Sequence, residues 1–142
     1  MLAEMCLALA LYHEARGEPS TGQMMVAKVI VNRMESKKFP SDMCGVIMQP
    51  RQFSFVRKGL VPVPKDEGAW KISKTLAQEI MDDPSVLPST SADHYHTTKV
   101  RPVWRKSLHR IVRIGKHVFY SYDPPKNLTV SLRLNSWFSI VR

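Results

Sequence analysis

No run of this chain approaches the roughly 20 apolar residues that a membrane-spanning helix needs, so no bilayer span is read from it. The N-terminus is apolar, but no basic region precedes it. The most informative motif follows at once, and cleavage of a leader would remove the helix that carries it. No cleavable signal is therefore expected. Only two cysteines, Cys6 and Cys44, are present, too few for a disulfide framework. They read as two small buried hydrophobes, with a single bridge as the alternative. There is no internal repeat, phosphate-binding glycine loop, nucleophilic Ser or Cys triad signature, or paired-cysteine zinc motif. No cofactor is expected.

Acidic residues are scarce at one end. The net charge is +9 over 142 residues, and residues 96–142 hold the whole excess, with Asp123 their one acidic side chain. A concentrated basic surface seeks a polyanion: the anionic cell envelope, lipopolysaccharide or nucleic acid. The plain alternative is a solvated face that keeps the protein soluble. The length suits one domain with a real core.

What is present is organised around Tyr12-His13-Glu14-Ala15-Arg16-Gly17-Glu18. Leu2, Met5, Cys6, Leu9 and Ala10 recur at helical spacing, and Leu7 and Leu11 broaden the apolar face, which predicts a largely buried helix over 2–15. Gly17 can take the left-handed conformation that stops a helix, and Pro19 blocks direct continuation. Glu14 then sits in the last turn, where the helix dipole is negative and the walls are apolar. Both effects disfavour the carboxylate anion, as a general acid requires. A solvated, idle Glu at a frayed helix end is the bland alternative.

A second helix is expected over about 20–36, a short third over 42–49 closed by Pro50, and a fourth over 66–81 with Ala69, Ile72, Leu76 and Ile80 as its buried stripe. Asn32 and Arg33 are expected to hydrogen-bond neighbouring loops. Gln52-Phe53-Ser54-Phe55 interleaves rings with hydrogen-bonding side chains, as a sugar groove does, although both rings could equally plug the core. The period changes at His94-Tyr95-His96, rich in strand formers, and Val112 to Tyr122 reads as a second strand broken at Gly115. The two make a small antiparallel hairpin with a long connection. His94 and His96 share a face, but no third ligand with suitable spacing accompanies them, so no metal site is assigned. Residues 128–134 alternate as in a half-buried strand, and Trp137, Phe138 and Ile140 follow.

The run Ala8 to Pro19, with Gly22-Gln23, Val31-Asn32-Arg33, Phe39-Pro40, Cys44-Gly45-Val46 and Gln52 to Phe55, resembles the SleB-type family of cell wall hydrolases (the spore cortex-lytic enzymes). The likeness returns at His94-Tyr95-His96, Trp104 and Arg113 to Tyr120. It covers residues 8–120 in the family's order. It implies an α+β, mainly α fold: a lysozyme-like helical domain over 1–122 with a small antiparallel β-hairpin. Residues 123–142 would be a basic, apolar extension packed on or flanking that domain.

The resemblance also implies a peptidoglycan glycosidase in which Glu14 protonates the oxygen between N-acetylmuramic acid and N-acetylglucosamine. Gln52, Phe53 and Ser54 would line the cleft, and Tyr95 or His96 would bind substrate. A hydrolase needs a second carboxylate. Glu18 is the first candidate, with Asp42 and Asp93 behind it, though Glu18 is better suited to capping the next helix. Without one, the muramic 6-hydroxyl attacks and the enzyme is a lytic transglycosylase, as the resemblance implies for spore-cortex members. The expected setting is a monomeric phage endolysin that passes from host cytoplasm to the cell wall after membrane breach. The rival readings are a hydrolytic muramidase and an inactive basic protein that binds nucleic acid or the envelope.

Overall fold

Helix α1 (Ala3–Ala15) is enclosed through its middle, where every residue from Cys6 to Tyr12 is buried. The computed structural model describes residues 2–124 of the chain. Beyond its first two residues, the expected 123–142 extension, with its alternating strand, lies outside the described residues. Two compact units divide the rest: the residues up to Gly17 with 33–86, and Glu18–Asn32 with the residues from Leu87 onward.

In the first unit α1 packs against α3 (Met43–Met48) and α4 (Glu67–Asp82). Caps set the starts of both partners. The side chain of Asp42 accepts from Gly45 N and that of Asp66 from Ala69 N, each satisfying a helix-end donor. The expected stripe of α4 is rotated. Ile72 is 61% exposed, while Ser73 and Ala77 are buried beside Ile80. Small side chains occupy the face that meets a helix already crowded with Leu7 and Leu11. The cysteines also depart from the favoured reading, since Cys6 and Cys44 form a disulfide that ties α1 to α3, with Cα atoms 5.4 Å apart.

Helix α2 (Ser20–Glu35) begins the second unit, and its last turn, from Arg33, belongs to the first. Pro19 opens it, and its carbonyl accepts from Gly22 N and Gln23 N. Asn32 Nδ2 donates to the carbonyls of Thr90 and Ala92, the loop-bonding role expected of it. The expected hairpin is a three-stranded antiparallel sheet, because Gly115 breaks the second stretch into two strands. These are β1 (His94–Thr97), β2 (His109–Ile114) and β3 (His117–Ser121), in the order β1-β3-β2. Gly115 turns the chain with φ of 56°, and a Cβ there would lie 2.9 Å from Glu18 Oε1, so only glycine fits. A bulge between Arg110 and Val112 shifts the β2–β3 register. The fold is thus mainly helical with a small antiparallel sheet.

Candidate active site

Glu14 is half-buried, one residue before the end of α1. The helix stops because Arg16 turns extended, at φ −59° and ψ 141°, and Gly17 follows in the left-handed region at φ 81°. The residues around Glu14 are fixed within the first unit. The hydroxyl of Tyr12 accepts from Lys65 N at 3.1 Å and Asp66 N at 2.9 Å, which pins the loop leading into α4. The guanidinium of Arg16 lies 4.5 Å over the ring of Tyr12. His13 stacks on Phe55, with ring centroids 4.8 Å apart, and its Nε2–H donates to the carbonyl of Pro62 at 2.9 Å. Burial pulls the His13 pKa below its ordinary 6.5; the Pro62 bond opposes this and the charge of Arg16 reinforces it. The imidazole is thereby held neutral near pH 7. Tyr12, His13, Arg16, Pro62 and Lys65 line a cavity of about 430 Å³.

The 52–55 stretch alternates. Gln52 and Ser54 are exposed, while Phe53 and Phe55 are 2% and 9% exposed. Phe53 therefore differs from its expected role at a sugar face. Its ring lies 5.8 Å from Phe55 and under the guanidinium of Arg33 at 5.6 Å, which makes it a support for its neighbours. Arg33 is itself buried, also lies 4.8 Å over Phe39, and donates through Nη1 to Gln52 Oε1 at 3.4 Å. This bond engages the Gln52 side-chain carbonyl, while the residue itself is exposed. Gln52 and Ser54 line a second concavity of about 490 Å³ with Met48, Arg51 and Lys58.

In the second unit Glu18 does not cap α2 with its carboxylate. Oε1 accepts from Lys116 N at 2.7 Å and lies 3.5 Å from His117 Nδ1, holding the β2–β3 turn, while its carbonyl accepts from Gln23. The other candidate second carboxylates are also engaged. Asp42 caps α3, and Asp93 Oδ1 takes both His94 Nδ1 at 2.8 Å and Tyr122 N at 3.0 Å. Tyr95 and His96 lie on opposite sheet faces. Tyr95 packs against His117 and Phe119. His96 bonds through Nδ1 to Thr97 O and through Nε2 to Tyr120 Oη at 2.9 Å. Among the described residues, no group of three His, Cys, Asp or Glu is placed to hold a metal ion.

Arg33 bonds the loop residue Gln52, the role expected of it, whereas sequence reasoning missed the Asp93–His94 pair. For Arg33, a lone arginine on so apolar a helix was the available signal, since a buried cation needs a partner.

The described domain is mainly helical with a small antiparallel sheet, and its most buried helix ends beside a half-buried carboxylate. A family model described as Cell Wall Hydrolase matches residues 17–120, and the chain belongs to that family. Glu14 lies just before the matched segment. The spore cortex-lytic enzyme of Halalkalibacterium halodurans is 38% identical over 115 residues, 80% of this chain and 33% of that protein. That of Bacillus subtilis is 38% identical over 116 residues, 80% of this chain and 35% of its own length. The chain thus spans about a third of these relatives. Among solved structures, the catalytic domain of the germination-specific lytic transglycosylase SleB from Bacillus anthracis matches with a TM-score of 0.66 at 34% identity, over 84% of this chain and 93% of that one. The catalytic domain of Bacillus cereus SleB matches with a TM-score of 0.62, also at 34% identity.

Proposed function

We propose that this chain cleaves the glycan backbone of peptidoglycan as a lytic transglycosylase, with Glu14 as its general acid and base. The observation that carries the reading is the place of Glu14, half-buried in the last turn of a helix that is enclosed from Cys6 to Tyr12 and stops at once at Arg16 and Gly17. The names of the relatives supply the substrate class and the reaction.

Glu14 donates its proton to the glycosidic oxygen as the bond to C1 of the muramic residue breaks. The resulting carboxylate then takes the proton of the muramic 6-hydroxyl as that oxygen bonds to C1. The product is a 1,6-anhydro sugar, and no water is consumed. Glu18, Asp42 and Asp93 are each engaged in holding backbone, which supports this route over one needing a second carboxylate. Gln52 and Ser54 supply hydrogen bonds to sugar hydroxyl and acetamido groups. Work outside the cytoplasm fits the Cys6–Cys44 bond, since disulfides persist in oxidising compartments. The endolysin role belongs to the same proposal, supported by the basic charge that suits an anionic envelope.

The test is digestion of purified Gram-negative sacculi by wild type and Glu14→Gln, with the released muropeptides weighed. Anhydro products are expected from wild type, with release about 10²- to 10⁴-fold slower in the variant. Products heavier by one water would make the enzyme a hydrolase. Equal release by both proteins would remove Glu14 from the mechanism, and no release by either would favour a binding protein.

A further inference from the structure

The connection from β1 to β2 carries Lys99, Arg101, Arg105 and Lys106, and β2 adds Arg110 and Arg113, with no Asp or Glu anywhere from His94 to Tyr122. Five of these six cations are exposed and Arg105 is half-exposed. Among the described residues, no carboxylate lies within ion-pair distance of any of them. Residues after Asp123 contain no further Asp or Glu to neutralise them.

Two features of the fold gather these charges. The first is Trp104, whose ring lies over the sheet, 5.3 Å from His94, 5.7 Å from His96 and 5.4 Å from Tyr120. It pins the middle of the connection and leaves its neighbour Val103 85% exposed. The second is the bulge in β2. Arg110 pairs with Tyr120 and Arg113 with Val118, and in β3 these two partners lie two residues apart, on one face. In a regular strand, positions 110 and 113 would point to opposite faces. The extra residue brings both guanidiniums to the face that Trp104 covers. Arg113 spends only Nε, on Gly115 O, and among the described residues Arg110 meets no hydrogen-bond or ion-pair partner, so both forks remain largely open.

We propose that this face adsorbs the chain to the carboxylates of peptidoglycan stem peptides, a second contact with the polymer whose glycan the active site cuts. The proposal rests on that reading of function. Guanidinium forks match carboxylates bidentately. Val103 and Val100, the latter 51% exposed, lie among the cations and offer apolar contact to a short peptide. A hydrated phosphate backbone would make no use of them.

The experiment measures adsorption to sacculi in a pelleting assay, in a Glu14→Gln background so that the polymer stays intact. Arg101→Glu, Lys106→Glu and Arg110→Glu combined are expected to weaken adsorption about tenfold or more at moderate salt. The corresponding glutamine variant, which only removes charge, should fall between, and a thermal melt of each checks folding. Sacculi whose carboxyls have been converted to neutral amides should bind the unreversed protein as weakly as native sacculi bind the triple variant. Equal adsorption to native and amidated sacculi would overturn the proposal. So would tighter binding to duplex DNA or to lipopolysaccharide vesicles than to native sacculi. Adsorption is read without cleavage, so failure of the catalytic reading shows separately, as wild type that binds sacculi and releases nothing.

Discussion

Around α1 the interior is largely aliphatic, with the rings of Tyr12, Phe53 and Phe55, and a covalent bond joins two of its helices. Around the sheet, side chains hold the backbone too, as Tyr12 and His13 do at the end of α1. Asn32 donates to two loop carbonyls, Asp93 and Glu18 accept from the amides of Tyr122 and Lys116, and Ser121 Oγ donates to Asp123 O. A helix satisfies its own backbone and needs only apolar cover. A three-stranded sheet with long connections leaves loop groups that must find partners elsewhere. The sensitive residues should therefore be mainly apolar and cysteine in the first unit, and mainly polar in the second.

The largest effect expected is loss of the Cys6–Cys44 bond. Its 38-residue separation gives a chain-entropy contribution of about 4 kcal/mol. Denaturant unfolding with and without reductant, or with Cys6→Ala and Cys44→Ala together, should show a loss of that order. Hydrogen exchange should place it first in α1 and α3. Equal loss of protection in β3 would break the distinction between the units.

Next comes Asn32. Asn32→Ala leaves the carbonyls of Thr90 and Ala92 without their donor, at about 1–3 kcal/mol. Asn32→Asp keeps the shape and loses the donors, so it should cost at least as much. A shift below about 0.5 kcal/mol in either variant, read from the denaturation midpoint, would mean that the loop finds water at no cost and that the second unit does not depend on such bonds.

The same contrast decides what the sequence revealed. Helix α1 and its stop were legible, because periodic apolar residues and the pair Gly17–Pro19 act locally. So were α2, the Asp66 start of α4, and the strand character of 94–97. What failed depended on partners far away in the chain. Helical spacing puts Ile72 in the buried stripe, but the buried face of α4 takes the small side chains of Ser73 and Ala77. The Cys6–Cys44 bond needs α3 folded back onto α1. Glu18 serves a turn nearly a hundred residues later. At the site, alternation marked Gln52 and Ser54 as the outward pair, yet the burial of Phe53 depends on Arg33, which no local pattern couples to it.

The smallest effect is a pH dependence that should locate itself in the sheet. His117 is 3% exposed, flanked by Tyr95 and Phe119, with Glu18 Oε1 3.5 Å from Nδ1. Burial lowers its pKa from 6.5; Glu18 pulls it back up and His96 pushes it further down. Folded His117 is therefore neutral where an unfolded histidine already binds a proton. Above pH 6.5 neither state is protonated and the contribution to stability is complete. As pH falls below 6.5 the unfolded chain takes up the proton first, so stability declines until the folded pKa is passed. Melting temperatures should drop between pH 7 and pH 5, and His117→Gln should flatten that slope. His13 shifts in the same direction but is only half-buried, so His13→Gln should flatten it less. Hydrogen exchange at pH 5 should show β3 opening before α1. If α1 opened first, the acid-sensitive histidine would be His13, and acid sensitivity would belong to the unit that carries Glu14.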